Sequence, residues 1–261
     1  MNEPDPKKQL GQHWLHDTAS LSAMVTAADV QAGDYVIEIG PGLGTLTAKL
    51  LRAGAVVHAI EFDPDLAQTL SKRLGNPAQL TLTQADIMQF DFTVIPAGYK
   101  IVANIPYYLT SGLLRLISET DNPPQQAALL VQKEVAERVC AAPGAMSLLS
   151  VSTQMYFKST LGALVPAQLF TPPPKVDSQI LILARRSQPL FGTRDARRLF
   201  RLVKAGFSER RKKLRSSLSG GLGISKESAD NLLQTANISG DLRAQNLDLD
   251  QWLTLYDTYN H

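Results

Sequence analysis

Between residues 33 and 184 the chain alternates short apolar runs with stretches that carry apolar residues at helical spacing. No other feature narrows the fold as much. The runs cover residues 35–39, 56–60, 80–83, 100–103, 127–131, 148–155 and 179–183. They are largely uninterrupted and rich in β-branched residues, which suits strands buried on both faces. Residues 43–51 and 66–74 read as helices between them. Strand–helix alternation predicts a parallel sheet covered on both sides. Seven strands fit one doubly wound sheet, and the close spacing of the last two predicts an antiparallel hairpin at one edge. After residue 183 the strand pattern stops. Residues 195–205, 208–218, 226–234 and 248–259 read as helices, with Gly220-Gly221-Leu222-Gly223 as a break and Ser225 as an N-cap. The expected organisation is an α/β domain over residues 1–187 and a small all-α domain over 188–261.

Bulk properties narrow the function. The 261 residues are 44% hydrophobic, enough for a sizeable core. No apolar run reaches the length of a membrane span, and the first eight residues lack the apolar core of a signal peptide. A single cysteine, Cys140, excludes an internal disulfide, and these points favour the cytoplasm. The four histidines, His13, His16, His58 and His261, do not cluster as metal ligands, so no metal is expected. Net charge is only +2 but lopsided. Residues 185–218 carry twelve Lys or Arg against Asp195 and Glu209, a net +10 within 34 residues, leaving −8 elsewhere. Such asymmetry points to a polyanionic partner.

The chemistry collects at strand ends. Glu38-Ile39-Gly40-Pro41-Gly42-Leu43-Gly44 closes the first strand and opens a helix. Glycines there let the backbone approach a ligand, a feature shared by several nucleotide-cofactor folds. The NAD fingerprint wants a sixth-place glycine, and Thr45 stands there. Glu38 would repel a pyrophosphate but could face an ammonium group. The E-x-G-x-G-x-G form resembles the S-adenosylmethionine loop of class I methyltransferases. Glu61 ends the second strand and suits ribose hydroxyls, with Asp63 as a competitor whose plainer reading is a helix cap before Pro64. Asp86 follows the third strand and could accept from an adenine amine. Asn104-Ile105-Pro106-Tyr107 follows Lys100-Ile101-Val102-Ala103. Gly40, Glu61, Asp86 and Asn104 thus fall at the carboxyl ends of four consecutive strands, where open α/β sheets bind ligands.

Asn-x-Pro-Tyr can hold a flat amine. The Asn104 amide oxygen accepts one hydrogen, the Ile105 carbonyl is a candidate for the second, Pro106 constrains the turn and Tyr107 stacks. Asn and Pro also favour turns for backbone reasons alone. The tetrad resembles that of methyltransferases acting on adenine N6 or cytosine N4. Two acceptors on an aromatic amine would localise its lone pair, and the base must be unpaired or flipped to reach them.

Longer stretches resemble one family, the KsgA-type ribosomal RNA adenine dimethyltransferases. Lys8-Gln9-Leu10-Gly11-Gln12-His13-Trp14-Leu15 is similar to its LGQ[NH]FL element, with Trp14 in place of Phe. Phe170-Thr171-Pro172-Pro173-Pro174-Lys175-Val176-Asp177-Ser178 resembles F-x-P-x-P-K-V-D-S, and residues 207–215 resemble F-x-x-R-R-K-x-L-R. Residues 242–247 are similar to R-A-E-x-L, with Gln245 in place of Glu.

The resemblance implies a Rossmann-like methyltransferase domain followed by a helical RNA-binding domain. It implies S-adenosylmethionine held by His13, Leu15, Glu38, Gly40, Gly42, Gly44, Glu61, Asp86 and Asn104. It implies a target adenine between Tyr107 and Phe170. Arg194, Arg197, Arg198, Arg201, Arg210, Arg211, Lys212, Lys213 and Arg215 would grip RNA phosphates. The implied reaction is N6-dimethylation of two adjacent adenosines in the 3′-terminal hairpin loop of 16S ribosomal RNA, on the small subunit and linked to ribosome biogenesis. A monomer is the default. The rival readings are an antibiotic-resistance-type methyltransferase of large-subunit RNA, a DNA amino-methyltransferase, and a non-catalytic RNA-binding or assembly factor.

Overall fold

The structure is a computed structural model that describes residues 4–260. Its strands are β1 (Trp14–Leu15), β2 (Tyr35–Ile39), β3 (Val56–Glu61), β4 (Leu80–Gln84), β5 (Lys100–Asn104), β6 (Gln126–Gln132), β7 (Phe157–Val165), β8 (Phe170–Thr171) and β9 (Ser178–Arg185). Its α-helices are α1 (Thr18–Ala27), α2 (Thr45–Arg52), α3 (Pro64–Arg73), α4 (Thr110–Glu119), α5 (Lys133–Val139), α6 (Leu148–Gln154), α7 (Ala196–Gly206), α8 (Leu214–Leu222), α9 (Lys226–Thr235) and α10 (Leu249–Asn260).

Seven strands form one sheet in the order β4-β3-β2-β5-β6-β9-β7. The first five run parallel, and β9 pairs antiparallel with β6. The chain leaves β2 for β3 and β4, then returns to β5 on the other side of β2. The loops after β2 and β5 therefore diverge and open a crevice at the carboxyl edge, which is where doubly wound sheets bind ligands. Val36, Val57, Val102 and Ala128, one from each of β2, β3, β5 and β6, are fully buried and share a core with Met24 and Leu50 from flanking helices. This is the α/β arrangement expected from the apolar rhythm.

Two assignments differ from the sequence reading. The apolar run 148–155 predicts a strand, but Leu148–Gln154 is helix α6. Ser147 and Ser150 cap it reciprocally, and Val151 and Met155, four apart, bury one face. The sixth strand in chain order of the large sheet is instead β7, with its mixed burial at the sheet edge. The helix expected from residue 208 begins only at Leu214. Residues 208–213 are exposed polar and basic turns with no apolar face to bury. The expected break at Gly220-Gly221 lies inside α8. A Cβ at Gly221 would come within 2.6 Å of the Ala205 Cα, so this glycine lets α7 and α8 touch backbone to backbone. Gly223, with φ 70°, ends the helix.

Contacts divide the chain into two compact units. One runs to Ala136 and adds Lys158–Arg185; the other joins Glu137–Phe157 to the residues from Arg186 onward. The segment Glu137–Phe157 thus packs with the helices although it lies far from them in sequence. Met146, Val151 and Met155 share a core with Leu199, Leu218 and Trp252. Gln245 reinforces this, donating from Nε2 to the Gly144 carbonyl at 3.0 Å and accepting the Gly144 N–H at 2.8 Å on its own carbonyl.

Candidate active site

The glycine loop after β2 is shaped by three glycines with positive φ, Gly40, Gly42 and Gly44. A side chain at Gly42 would strike the Trp14 ring at 2.7 Å, so its absence lets β1 close down on the loop. A Cβ at Gly40 would meet nothing within 4 Å, leaving the backbone bare toward open space. The Glu61 carboxylate ties the loop to the next strand, accepting the Gly42 N–H at 3.1 Å and the Asp63 N–H at 2.9 Å. Burial raises its pKa, and those two N–H groups pull the other way.

These residues border a cavity of about 210 Å³ lined by Glu38, Gly40, Gly42, Glu61, Asp86, Asn104 and the N-terminal strap Leu10–Leu15. Glu38 is 1% exposed, and its Oε2 has no hydrogen-bond partner among the described residues. Burial pushes its carboxyl up to about 8; the nearby Thr47 hydroxyl lowers it and the charge of Glu61 raises it further. A buried carboxyl with an orphan oxygen, on a residue that lines a cavity, suits a cationic or donor group from a ligand. The ammonium group of S-adenosylmethionine fits that requirement, and the bare backbone at Gly40 gives it room. Asp86 caps a short 3-10 turn through the Met88 N–H at 2.9 Å and also lines the cavity.

The strap is held at residues 13–15. β1 pairs antiparallel with β8, placing Trp14 opposite Thr171 and Leu15 opposite Phe170. The Thr45 hydroxyl donates to the Leu15 carbonyl at 3.0 Å. His13 Nδ1 lies 2.6 Å from the Pro172 carbonyl, which can only accept, so Nδ1 donates. The His13 carbonyl accepts from Asn104 Nδ2 at 3.3 Å, which leaves Asn104 Oδ1 as the acceptor of that amide. The Pro106 carbonyl is taken by the Leu109 N–H at 3.0 Å, whereas Ile105 lines the cavity. Tyr107 stacks on His13 at 6.1 Å and 21°, and its hydroxyl meets Ser178 Oγ at 2.8 Å. Burial holds the phenol above its ordinary pKa, against the lowering effect of Ser178.

His13, Leu15, Glu38, Gly40, Gly42, Glu61, Asp86 and the whole tetrad therefore converge. Two expected members do not. Gly44 lies outside the lining; it is the left-handed N-cap of α2, and a Cβ there would strike Leu70 at 2.7 Å. Phe170 is 3% exposed and packed in the core with Leu15, Val165 and Ile180, because its pairing with Leu15 turns it inward. Asp63 follows its plainer reading: it caps α3, with Pro64 at the first helical position. The motifs do not single out Phe62 and Tyr108, which line the cavity yet remain 57% and 66% exposed. Their places beside Glu61 and Tyr107 are the only signal of them in the sequence.

The basic residues of the helical unit differ in how committed they are. Arg194 makes a two-pronged pair with Asp257, both contacts at 2.6 Å, and is a structural cation rather than a free one. Lys213 and Arg215 meet Asp241 at 2.9 and 3.2 Å, and Lys212 meets Glu209 at 3.3 Å. Arg198 lies 3.9 Å from Asp195. Arg197 and Arg201 are exposed one turn apart on α7, and Arg210 and Arg211 are exposed in the turn before α8.

The model of the ribosomal RNA adenine dimethylase family matches residues 5–261. The chain belongs to this family. Ribosomal RNA adenine dimethylases are methyltransferases, and relatives of matching length carry names of that kind. A Dehalococcoides mccartyi protein named ribosomal RNA small subunit methyltransferase A is 38% identical over 97% of this chain and 88% of its own length. A Synechocystis protein of the same name is 38% identical over 96% and 95%. Among solved structures, a Plasmodium falciparum dimethyladenosine transferase superposes with a TM-score of 0.81 at 26% identity, covering 94% of this chain and 97% of that one. The 23S rRNA methyltransferase ErmE superposes with 0.76 at 27% identity, covering 95% and 100%. Membership accounts for the seven-stranded sheet, the tetrad at the end of β5 and the helical unit in one chain.

Proposed function

We propose that the protein transfers methyl groups from S-adenosylmethionine to N6 of two adjacent adenosines in the 3′-terminal hairpin loop of 16S ribosomal RNA, within the small subunit. The observation that carries this reading is the Asn104 amide. Its nitrogen is spent on the His13 carbonyl, so its oxygen is the acceptor available in a cavity shared with Glu38, Glu61 and Asp86. The small-subunit assignment is supported by relatives that bear that name at 38% identity.

S-adenosylmethionine, when bound, supplies an electrophilic methyl group on its sulfonium. Glu38 would face the ammonium end, Glu61 the ribose and Asp86 the adenine amine, with Gly40, Gly42, His13 and Leu15 as walls. Asn104 Oδ1 and the Ile105 carbonyl would accept from the target amine, raising lone-pair density on nitrogen. Tyr107, steadied by Ser178 and His13, would stack on one face of the base. A singly methylated amine keeps one donor, so it must rotate in the site before a second transfer. The chemistry is positioning and electrostatics with no covalent enzyme intermediate. Phe170 can cover the other face only if it leaves its core packing. The exposed cations Arg197, Arg201, Arg210 and Arg211 would hold RNA phosphates. A cytoplasmic, monomeric enzyme is the simplest setting.

The likeness to ErmE makes large-subunit RNA the second reading. Labelled S-adenosylmethionine is incubated with unmethylated small subunits and, separately, with large-subunit RNA. Label as dimethyladenosine in the small-subunit RNA is the expected result. Label in large-subunit RNA alone would overturn the assignment.

A further inference from the structure

We propose that Lys7, Gln12 and Asp63 form a clasp that keeps the N-terminal strap shut over the cofactor cavity, and that Lys7 positions the strap and slows release of S-adenosylmethionine. The inference rests on reading the cavity as the S-adenosylmethionine site. Lys7 Nζ donates to Asp63 Oδ1 at 2.8 Å and to Asp65 Oδ2 at 2.6 Å. The Lys7 N–H donates to Gln12 Oε1 at 2.6 Å, and Gln12 Nε2 donates to Asp63 Oδ2 at 3.3 Å. Both oxygens of one carboxylate are thus given to the strap. The Asp63 side chain is 1% exposed and that of Asp65 is 75% exposed, so the Asp63 contact is the more sheltered of the two, with Lys7 itself 37% exposed. A buried carboxylate stripped of its cation is costly, whereas an exposed pair contributes little.

Position gives the clasp its consequence. The strap is fixed at residues 13–15 by the β1–β8 pairing, Thr45 and Pro172. Its other end is fixed at Lys7. Between the two anchors, Leu10, Gly11 and Gln12 line the cavity, while Lys7 itself does not. Asp63 is rigidly placed because it caps α3, and Leu66 of that helix packs with Trp14 and Leu43 at the cavity wall. Opening the clasp frees the covering residues without touching the Asn104 or Glu38 side chains. Lys7 does not line the cavity, so loosening it acts on how readily the cover opens, and hence on the rates at which ligand leaves and enters.

The test compares Lys7→Met, Lys7→Arg and Asp63→Asn in the full chain. Asparagine still caps a helix, so Asp63→Asn removes the charge and keeps α3. S-adenosylmethionine dissociation is followed by stopped flow, reading emission from Trp14. Acrylamide quenching without ligand reports strap opening, since Trp14 stays anchored, lines the cavity that Leu10–Gln12 cover and is 9% exposed, while the other tryptophan, Trp252, is fully buried. Lys7→Met should release the ligand about tenfold faster, as it strips the buried Asp63 carboxylate of its cation and loosens the cover. Its Trp14 quenching should rise, Lys7→Arg should restore both, and Lys7→Met should add little to Asp63→Asn. Unchanged release and quenching beside normal wild-type binding would overturn the clasp, even if the melting temperature fell. If wild-type protein bound no S-adenosylmethionine while quenching still rose in Lys7→Met, the cofactor reading would fail and strap closure would stand.

Discussion

The Asn104 side-chain nitrogen donates to the His13 backbone carbonyl at 3.3 Å, across 91 residues of sequence. A residue of the N-terminal strap therefore sets which end of a tetrad amide can accept a hydrogen bond. The strap is consequently more than a wall of the cavity. It also orients the group that would meet the target amine.

Replacing Asn104 by Ala should abolish most transfer while sparing the cofactor. In the proposed mechanism the amide oxygen would act on the amine at the moment of reaction, and losing one such preorganised group costs about 10²–10³-fold in kcat. Calorimetric binding of S-adenosylhomocysteine should stay within a fewfold of wild type. Retained turnover would remove Asn104 from its assigned role, and lost binding would make it a cofactor residue alone.

Tyr107 separates stacking from anchoring. Tyr107→Phe keeps the ring and removes the 2.8 Å hydrogen bond with Ser178, so kcat/KM for the small subunit should fall by less than about tenfold, as befits one hydrogen bond. Tyr107→Ala removes the stack as well, worth ~1–3 kcal/mol, and should fall by a further ten- to hundredfold on that scale. Equal losses in the two variants would mean that the hydroxyl matters and the ring does not.

The parts of the site legible in the sequence are those that sit at strand ends. Gly40, Glu61, Asp86 and Asn104 follow apolar runs whose registers align, so recognising four strands is enough to bring them together. Phe170 is not legible in this way, because its environment is decided by pairing with Leu15, a contact across the chain that no local pattern reveals. Arg194 shows the same limit: its partner, Asp257, lies 63 residues away. Helix α6 reads as a strand because Leu, Val and Thr suit both states, and only the Ser147–Ser150 capping box argues for a helix. Strand β7 carries no apolar run because an edge position tolerates Lys158, Ser159 and Thr160.

Glu38 gives the protein a pH signature. Its carboxyl titrates near the ordinary 4.5 when unfolded and at about 8 when folded, so the folded state binds the extra proton between those values. The contribution of Glu38 to stability should therefore fall as pH rises from about 4.5 to about 8 and level off above. The raised carboxyl of Glu61 acts in the same direction. The difference in melting temperature between wild type and Glu38→Gln should therefore shift against wild type as pH rises across that range. A cationic ligand favours the ionised carboxylate, so S-adenosylmethionine binding at neutral pH should release protons. Calorimetry in two buffers of different ionisation enthalpy measures this release, and equal apparent enthalpies would argue against Glu38 facing the ammonium group.

The basic residues should split into two groups by salt dependence. Arg197 and Arg201 are exposed on one face of α7, and neither is spent on an acid among the described residues. Replacing both by Gln should weaken small-subunit binding and lower its salt slope by roughly one for each phosphate no longer neutralised. Melting temperature should barely move, since exposed charges contribute little to stability. Arg194→Gln should do the reverse. Its two-pronged pair with Asp257 joins the start of α7 to α10, and its guanidinium pKa is raised chiefly by that hydrogen-bonded partner. Removing the pair should lower the melting temperature of the helical unit by a few degrees while leaving the salt slope near that of wild type. If Arg194→Gln flattened the slope as much as the α7 pair did, Arg194 would exchange Asp257 for phosphate on binding, and the ion pair would be a resting contact rather than a permanent strut.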